Sequence, residues 1–215
     1  MVEELFSAAV RRSTEGRHRD AEQAAFLGRL VTGALPLAGY AAMVAQHHHI
    51  YSVLEEAAAV MRHDPVARPF VHDGLTRLPA LESDLRTLLG DDWQRRIEPS
   101  PATTRYAERL REVCFAWPGG FVAHHYTRYL GDLSGGQYIA AAVRRHYGTT
   151  ATGFYVFDGI GSPAAFKTGY REALDTAPWD PDERRRILDE VLVAYQLNID
   201  VLTDLGRDHA AGQAA

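Results

Sequence analysis

An aspartate set among three glycines, inside a stretch of helix-forming residues, is the feature of this chain best suited to chemistry. It lies in Tyr126-Thr127-Arg128-Tyr129-Leu130-Gly131-Asp132-Leu133-Ser134-Gly135-Gly136-Gln137. A glycine inside a helix costs about 1 kcal/mol relative to alanine, so three weaken the segment by roughly 3 kcal/mol. The usual return is close backbone approach to a neighbour, or a kink. Gly131 and Gly135 are four apart and share one face. That face carries no side chain for a full turn, and a flat ligand could lie on bare backbone there with Asp132 beside it. Tight helix–helix packing through small residues is the competing reading. The run fits neither the phosphate-loop nor the dinucleotide spacing.

Other groups are placed for chemistry too. His18 and Glu22 are four apart and so share a helix face. An imidazole so paired could be a ligand whose second nitrogen is oriented by the carboxylate, or half of a surface ion pair. Arg11 lies seven residues before His18, about two turns and about 10 Å along the same face. Lys167 and Arg171 form an i,i+4 basic pair that suits carboxylates, where arginine binds bidentately, or else they are solvated surface charge. Phe154, Tyr155, Phe157 and Tyr195, with Asn198 following, read on spacing alone as core. His47-His48-His49 imitates a metal tract. Consecutive helical residues point about 100° apart, however, so three in a row cannot chelate one ion. His124-His125 fails likewise, and these histidines read as pocket-adjacent or surface residues.

The elements that must position these groups are helical. Helices are expected over 3–17 with a continuation through Glu22, unless Ser13 or Thr14 caps a new start, then over a core stripe of Phe26, Leu27, Leu30 and Val31. Further helices are expected over 35–61, 79–89, 101–115, 121–147, 163–175 and 181–205. The breakers between them are Asp64-Pro65, Gly90-Asp91, Pro118-Gly119 and Pro178-Trp179-Asp180-Pro181. Only the stretch 153–157 reads as extended. No repeat or linker divides the chain, so the expectation is one all-α domain over 1–205 and a flexible C-terminal tail over 206–215.

Composition narrows the function classes. With 215 residues and 46% hydrophobic content the chain can bury a sizeable core. Its net charge is −5, with 28 acidic against 23 basic residues, which argues against nucleic acid as partner. Cys114 is the single cysteine, so neither an intramolecular disulfide nor a multi-cysteine zinc site is available. The start, Met1-Val2-Glu3-Glu4, lacks the basic and apolar character of a secretory signal, and no apolar run approaches the roughly 20 residues of a membrane span. The expectation is a cytoplasmic monomer without a membrane anchor.

The twelve-residue run from Tyr126 to Gln137 resembles the distal-helix signature of the haem oxygenases, without a gap. His18 and Glu22, with Ala21 between them and Phe26 after, resemble that family's proximal segment. The resemblance extends from about Leu5 to Leu205. It implies the family's fold, a helical domain with haem between a proximal helix and a kinked distal helix. It makes His18 the axial iron ligand and Glu22 its partner, and it places Arg11, Lys167, Arg171 and Tyr126 at positions that contact propionates in relatives. Gly131 and Gly135 would let the distal backbone close over the sixth coordination site. Asp132 would hold ordered waters that deliver protons, with Arg128 and Tyr51 around that network, and Tyr155 and Tyr195 would be pocket walls. The implied activity is oxygen-dependent opening of haem b, at once cofactor and substrate, to biliverdin, carbon monoxide and ferrous iron. Dioxygen is the co-substrate, and matching propionate bases imply α-meso cleavage. No flavin or nicotinamide motif is present, so electrons would come from a ferredoxin or flavoprotein reductase. A haem carrier or sensor that leaves its ligand intact is the alternative. It has no need of a proton-relay carboxylate. A fold relative acting on thiamine or a quinone precursor would need no axial histidine.

Overall fold

A computed structural model describes residues 4–22 and 24–211; the side chains of residues 18, 22, 210 and 211 are not among those described. Among the described residues there are helices and turns and no strand.

Helix α1 (Phe6–Glu22) buries Phe6, Val10, Thr14 and Ala21, one stripe of helical period. Its N-terminus is anchored by Asp175, whose carboxylate accepts from the Ser7 backbone N–H at 2.7 Å and the Ser7 hydroxyl at 2.9 Å. An acid there satisfies an orphan donor and complements the helix dipole. Extended backbone at Ala24 separates α1 from α2 (Ala25–Val31), which sends Phe26 and Leu30 into the core. The helix α3 (Leu37–Met61) follows Pro36 and is buried nearly all round, from Tyr40 through Ile50, Tyr51 and Leu54 to Met61, as a central helix must be. Around it pack α4 (Leu78–Leu89), α5 (Pro101–Val113), α6 (Pro118–His125) and α9 (Pro181–Ala211). Helix α7 (Gly131–Tyr147) continues the line of α6, and α8 (Pro163–Thr176) packs beside α1. Ser100 and Ser162 cap α5 and α8, each hydroxyl accepting a backbone N–H three residues on.

The buried polar centre of the bundle joins three helices. Arg109 of α5 donates to both oxygens of Glu190 of α9, and His124 of α6 meets the same carboxylate at 2.9 Å. Burial works against the charge on Glu190, but these two partners outweigh it and hold the carboxyl down at about 2.

Three expectations change. The stretch 153–157 is not extended: Gly153–Tyr155 is a 3-10 turn. The Asp84 carboxylate accepts from the backbone N–H of Gly153 at 3.0 Å and of Phe154 at 2.9 Å, which folds the segment back on α4. The glycines of 131–136 do not interrupt the helix. The irregularity lies just before them, in a π-helical turn over Tyr126–Leu130. And α9 runs on to Ala211, with the His209 ring 6.2 Å from that of Phe26, so the expected tail is helical from Gly206 to Ala211. Residues 212–215 lie outside the described residues.

Candidate functional site

Two adjoining cavities lie where α1 faces the π turn and the start of α7. The first, of about 140 Å³, is lined by Met43 and His47 of α3, Arg128 of the π turn, Gly131, Asp132, Gly135 and Ile139 of α7, and Tyr195, Asn198 and Leu202 of α9, with Tyr155 closing it. The second, of about 660 Å³, is lined by Arg11, Arg12 and Arg19 of α1, Tyr126, Gly131 and Ser134, Arg171 of α8 and Tyr195. Gly131 and Tyr195 border both, so the two form one cleft with an apolar inner end and a cationic outer end.

The glycine face is open. A methyl group added at Gly131 or at Gly135 would meet nothing within 4 Å. Small-residue packing therefore does not explain these two positions. It does explain Gly136, where an added Cβ would stand 2.5 Å from Cδ1 of the buried Tyr155 ring. Gln137 fixes that loop from the same helix, donating to the Tyr155 carbonyl at 2.6 Å. Arg77 holds it from the other side, donating to the Phe154 and Val156 carbonyls and lying 4.0 Å over the Phe157 ring.

Beneath the glycine face is a polar network. Tyr51, fully buried on α3, donates its hydroxyl to Oδ2 of Asp132. Arg128, 5% exposed, lies 5.1 Å over the Tyr51 ring and donates through Nη1 to Oδ1 of Asn198. Its Nε and Nη2 are buried without a protein partner. Burial pushes the Asp132 carboxyl above its ordinary range, against the opposing pull of Arg128, Tyr51 and Arg77. Burial likewise raises the Tyr51 phenol, and the Asp132 carboxylate beside it adds to the effect. A raised carboxyl bordering a cavity, with donors aimed at it, can hold and release a proton.

At the outer end the cations converge. Burial raises the Tyr126 phenol, while Arg171 and Arg11 are both near enough to pull against it. Lys167 does not line the cavity. It sits at its rim, donating to the Ser134 hydroxyl at 3.3 Å. Arg12 and Arg19 line this end as well, and the sequence reading passed over both. Arg19, seven residues after Arg12, shares its helix face, and that spacing was the available signal.

His18 and Glu22 fall within α1, but their side chains lie outside the described residues. The backbone of α1 brings Arg11, Thr14 and Glu15 to the outer cavity and Ala21 to the inner one. Position 18 continues the 11–15 stripe at helical period, between those two groups. Tyr155 and Tyr195 line the inner cavity as expected of pocket walls. His47 is the member of the histidine tract that borders it, and its place four residues before Tyr51 on α3 was legible from spacing.

Comparison with known proteins points one way. The family model described as heme oxygenase matches residues 4–204. Bovine heme oxygenase 1 is 36% identical over 220 residues, covering 97% of this chain and 76% of that protein. Heme oxygenase 1 of the cyanobacterium Synechocystis is 34% identical, covering 93% of this chain and 84% of its own. The crystal structure of a Synechocystis heme oxygenase-1 in complex with heme superposes with a TM-score of 0.92 at 30% identity, covering 98% of this chain and 96% of that one. The structure of heme oxygenase from Leptospira interrogans gives 0.88 at 30% identity, covering 94% and 100%. A TenA homologue from P. horikoshii, with a TM-score of 0.73 at 14% identity over 95% of this chain and 99% of that one, shares the fold alone.

Proposed function

The chain belongs to the haem oxygenase family, and we propose that it opens haem b to biliverdin, releasing carbon monoxide and ferrous iron, with dioxygen as co-substrate. The observation that carries the reading is the side-chain-free face of Gly131 and Gly135, open to space, with Asp132, held by Tyr51, bordering the same cavity. A flat, largely apolar ring carrying two carboxylates suits a cleft largely apolar at one end and lined at the other by Arg11 and Arg171, with Arg12 and Arg19 beside them paired to Glu4 and Glu15.

Haem supplies, when bound, the reducible iron at which dioxygen is activated. The protein's part is to orient the ring, keep bulk water off it and deliver protons. His18 would hold the iron, with Glu22 one turn on to fix the imidazole's tautomer and orientation. Arg11, Arg171 and Tyr126 would hold the propionates, and Lys167 at the rim would add charge. Gly131 and Gly135 would let a flat ring lie against the helix backbone. The basic set points to the α-meso edge. Asp132 keeps Oδ2 on the Tyr51 hydroxyl, and its Oδ1, which makes no hydrogen bond to a described residue, holds water and passes protons from it. Arg128 and Tyr51 keep that carboxyl in place. Tyr155 and Tyr195 wall the pocket.

Electrons come from outside, from a ferredoxin or flavoprotein reductase. No helix among the described residues is long and apolar enough to cross a membrane. A cytoplasmic monomer is part of the same proposal. The test is to add hemin, record the Soret band, then supply ascorbate or reductase with air. Loss of the band with a new bilin absorbance is the expected result; a stable band would make the protein a carrier. His18→Ala loses the imidazole-ligated spectrum.

A further inference from the structure

His47 has a chemical capacity that its surroundings do not use. It sits on α3, 8% exposed, with its ring 5.0 Å from that of Phe154 and edge-on to Tyr51 at 6.4 Å. It makes no hydrogen bond to any described residue, and its Nδ1 is buried without a partner. A buried polar atom left unpaired destabilises a fold, and native interiors contain few of them. Leucine would fill the same space on this apolar helix at no such cost. Burial, reinforced by the positive charge of Arg128, keeps the imidazole in its neutral form. That form carries one N–H donor and one acceptor nitrogen.

The polar atoms around the inner cavity complete the picture. Asp132, Arg128 and Asn198 line it together with His47. Two nitrogens of Arg128 lack partners among the described residues, as does Nδ1 of His47. A bound water needs two to four polar partners and about 30 Å³ of room. The 140 Å³ cavity has the room, and Asp132, Asn198, Arg128 and the His47 side chain border it.

We propose that His47 is a positioning residue of the distal pocket: its imidazole holds an ordered water between itself and Asp132, giving the carboxylate's proton relay a second anchor from α3. The proposal rests on the functional reading above. A neutral imidazole can accept a hydrogen bond on one nitrogen while donating from the other, so it steadies water without adding charge beside Asp132. The neighbouring His49 also has an unpartnered buried nitrogen but borders neither cavity, which makes it the natural control.

The test compares His47→Leu, His47→Gln and His49→Leu. Leucine preserves packing and removes hydrogen bonding; glutamine preserves a donor and an acceptor. If the imidazole holds water, His47→Leu loses that hydrogen bond and should melt about 2–4 °C below His47→Gln in the haem-free protein; a higher melting temperature for leucine would mean that the imidazole is unpaired. With hemin bound, it should change hemin affinity by less than about threefold while slowing haem loss about tenfold, a loss in kcat rather than KM. It should also move the midpoint pH of the acid–alkaline spectral transition of the hemin complex, a readout that packing alone does not touch. His47→Gln should recover most of the lost rate, and His49→Leu should behave as wild type in turnover and midpoint. If leucine equals or exceeds glutamine in turnover, or leaves the midpoint unmoved, His47 is a packing residue and the proposal fails. If the wild-type protein itself binds hemin without degrading it, the functional reading fails first, and the melting and midpoint comparisons still decide whether His47 holds water.

Discussion

Gly135 and Gly136 are neighbours in one helix, and the structure predicts opposite consequences for the same substitution. A Cβ at Gly135 meets nothing within 4 Å, whereas one at Gly136 stands 2.5 Å from the Tyr155 ring. In the haem-free protein Gly135→Ala therefore gains helix propensity without a clash, about 1 kcal/mol. In a chain of this size that raises the melting temperature by about 2–4 °C. Gly136→Ala must displace the buried Tyr155 ring, at a cost of about 1–3 kcal/mol. Hemin reverses the order for Gly135. The added methyl occupies the face on which the ring is to lie, and overpacking of about 1–3 kcal/mol weakens hemin binding by roughly 5- to 150-fold. Thermal melts of the two haem-free variants and Soret titrations of both give all four numbers. A haem-free Gly135→Ala less stable than wild type would mean that the face is packed, not open. A more stable variant that bound and degraded hemin normally would mean that haem lies elsewhere, and would refute the assignment of this face.

Asp132→Asn should bind hemin yet lose turnover by about 100-fold or more, because the amide cannot relay a proton. Its haem-free form carries a pH signature. A carboxyl whose folded pKa is raised binds its proton more tightly in the native state, so stability falls as pH rises past the unfolded-state range and remains lower above the folded value. The asparagine variant is then more stable than wild type at neutral pH, and melts below the ordinary carboxylate range should converge. Glu190, held down at about 2, has the opposite sign. Its stabilisation is fully present above the ordinary carboxylate range and is lost as pH falls through about 2. Glu190→Gln should cost about 3 kcal/mol at pH 7, since it leaves Arg109 and His124 without their carboxylate, and less at acid pH, as denaturant melts will show. Arg171→Ala should weaken hemin binding about tenfold at low salt and less at high salt, and should mix the biliverdin isomers, read by chromatography of the product.

The helical bundle was legible because its signals are local. Pro36, Pro101, Pro163 and Pro181 sit at helix starts, and the apolar stripes of α1, α3 and α9 keep a regular helical period. Of the cleft-facing groups, Gly131, Gly135, Asp132 and Arg128 stand in one long motif and Arg11 and Arg171 at helical spacings, whereas Tyr155 and Tyr195 read on spacing alone as core and were pocket walls only through the family resemblance. What escaped depends on contacts between residues distant in the chain. The turn at Gly153–Tyr155 is made by Asp84, about seventy residues earlier, and nothing in the local alternation records that carboxylate. The Arg109–Glu190–His124 centre joins three helices, and each member alone reads as a surface charge or a stray histidine. His47 was set aside with its neighbours because three in a row cannot chelate. That argument is sound against a metal but silent about a single imidazole bordering a cavity.

The π turn, not the glycines, is what interrupts the regular helix expected over 121–147. A π turn inserts one residue into an α-helix, rotating all that follows by about 100° relative to what came before. Before it, α6 is in the core's register: His124 reaches Glu190 and His125 meets the Tyr170 hydroxyl at 2.9 Å. After it, α7 is in the cleft's register, with Gly131, Asp132 and Gly135 all bordering the cavity. An unbroken α-helix through this point would have to satisfy both sets of neighbours with one phase. The inserted residue uncouples them, and Tyr126–Leu130 supplies it at the place where Arg128 must reach Asn198. The glycines then need not bend the helix. They only have to leave its cleft face bare, and deleting one residue from the π turn should swing Asp132 off Tyr51 while leaving both glycines in a helix.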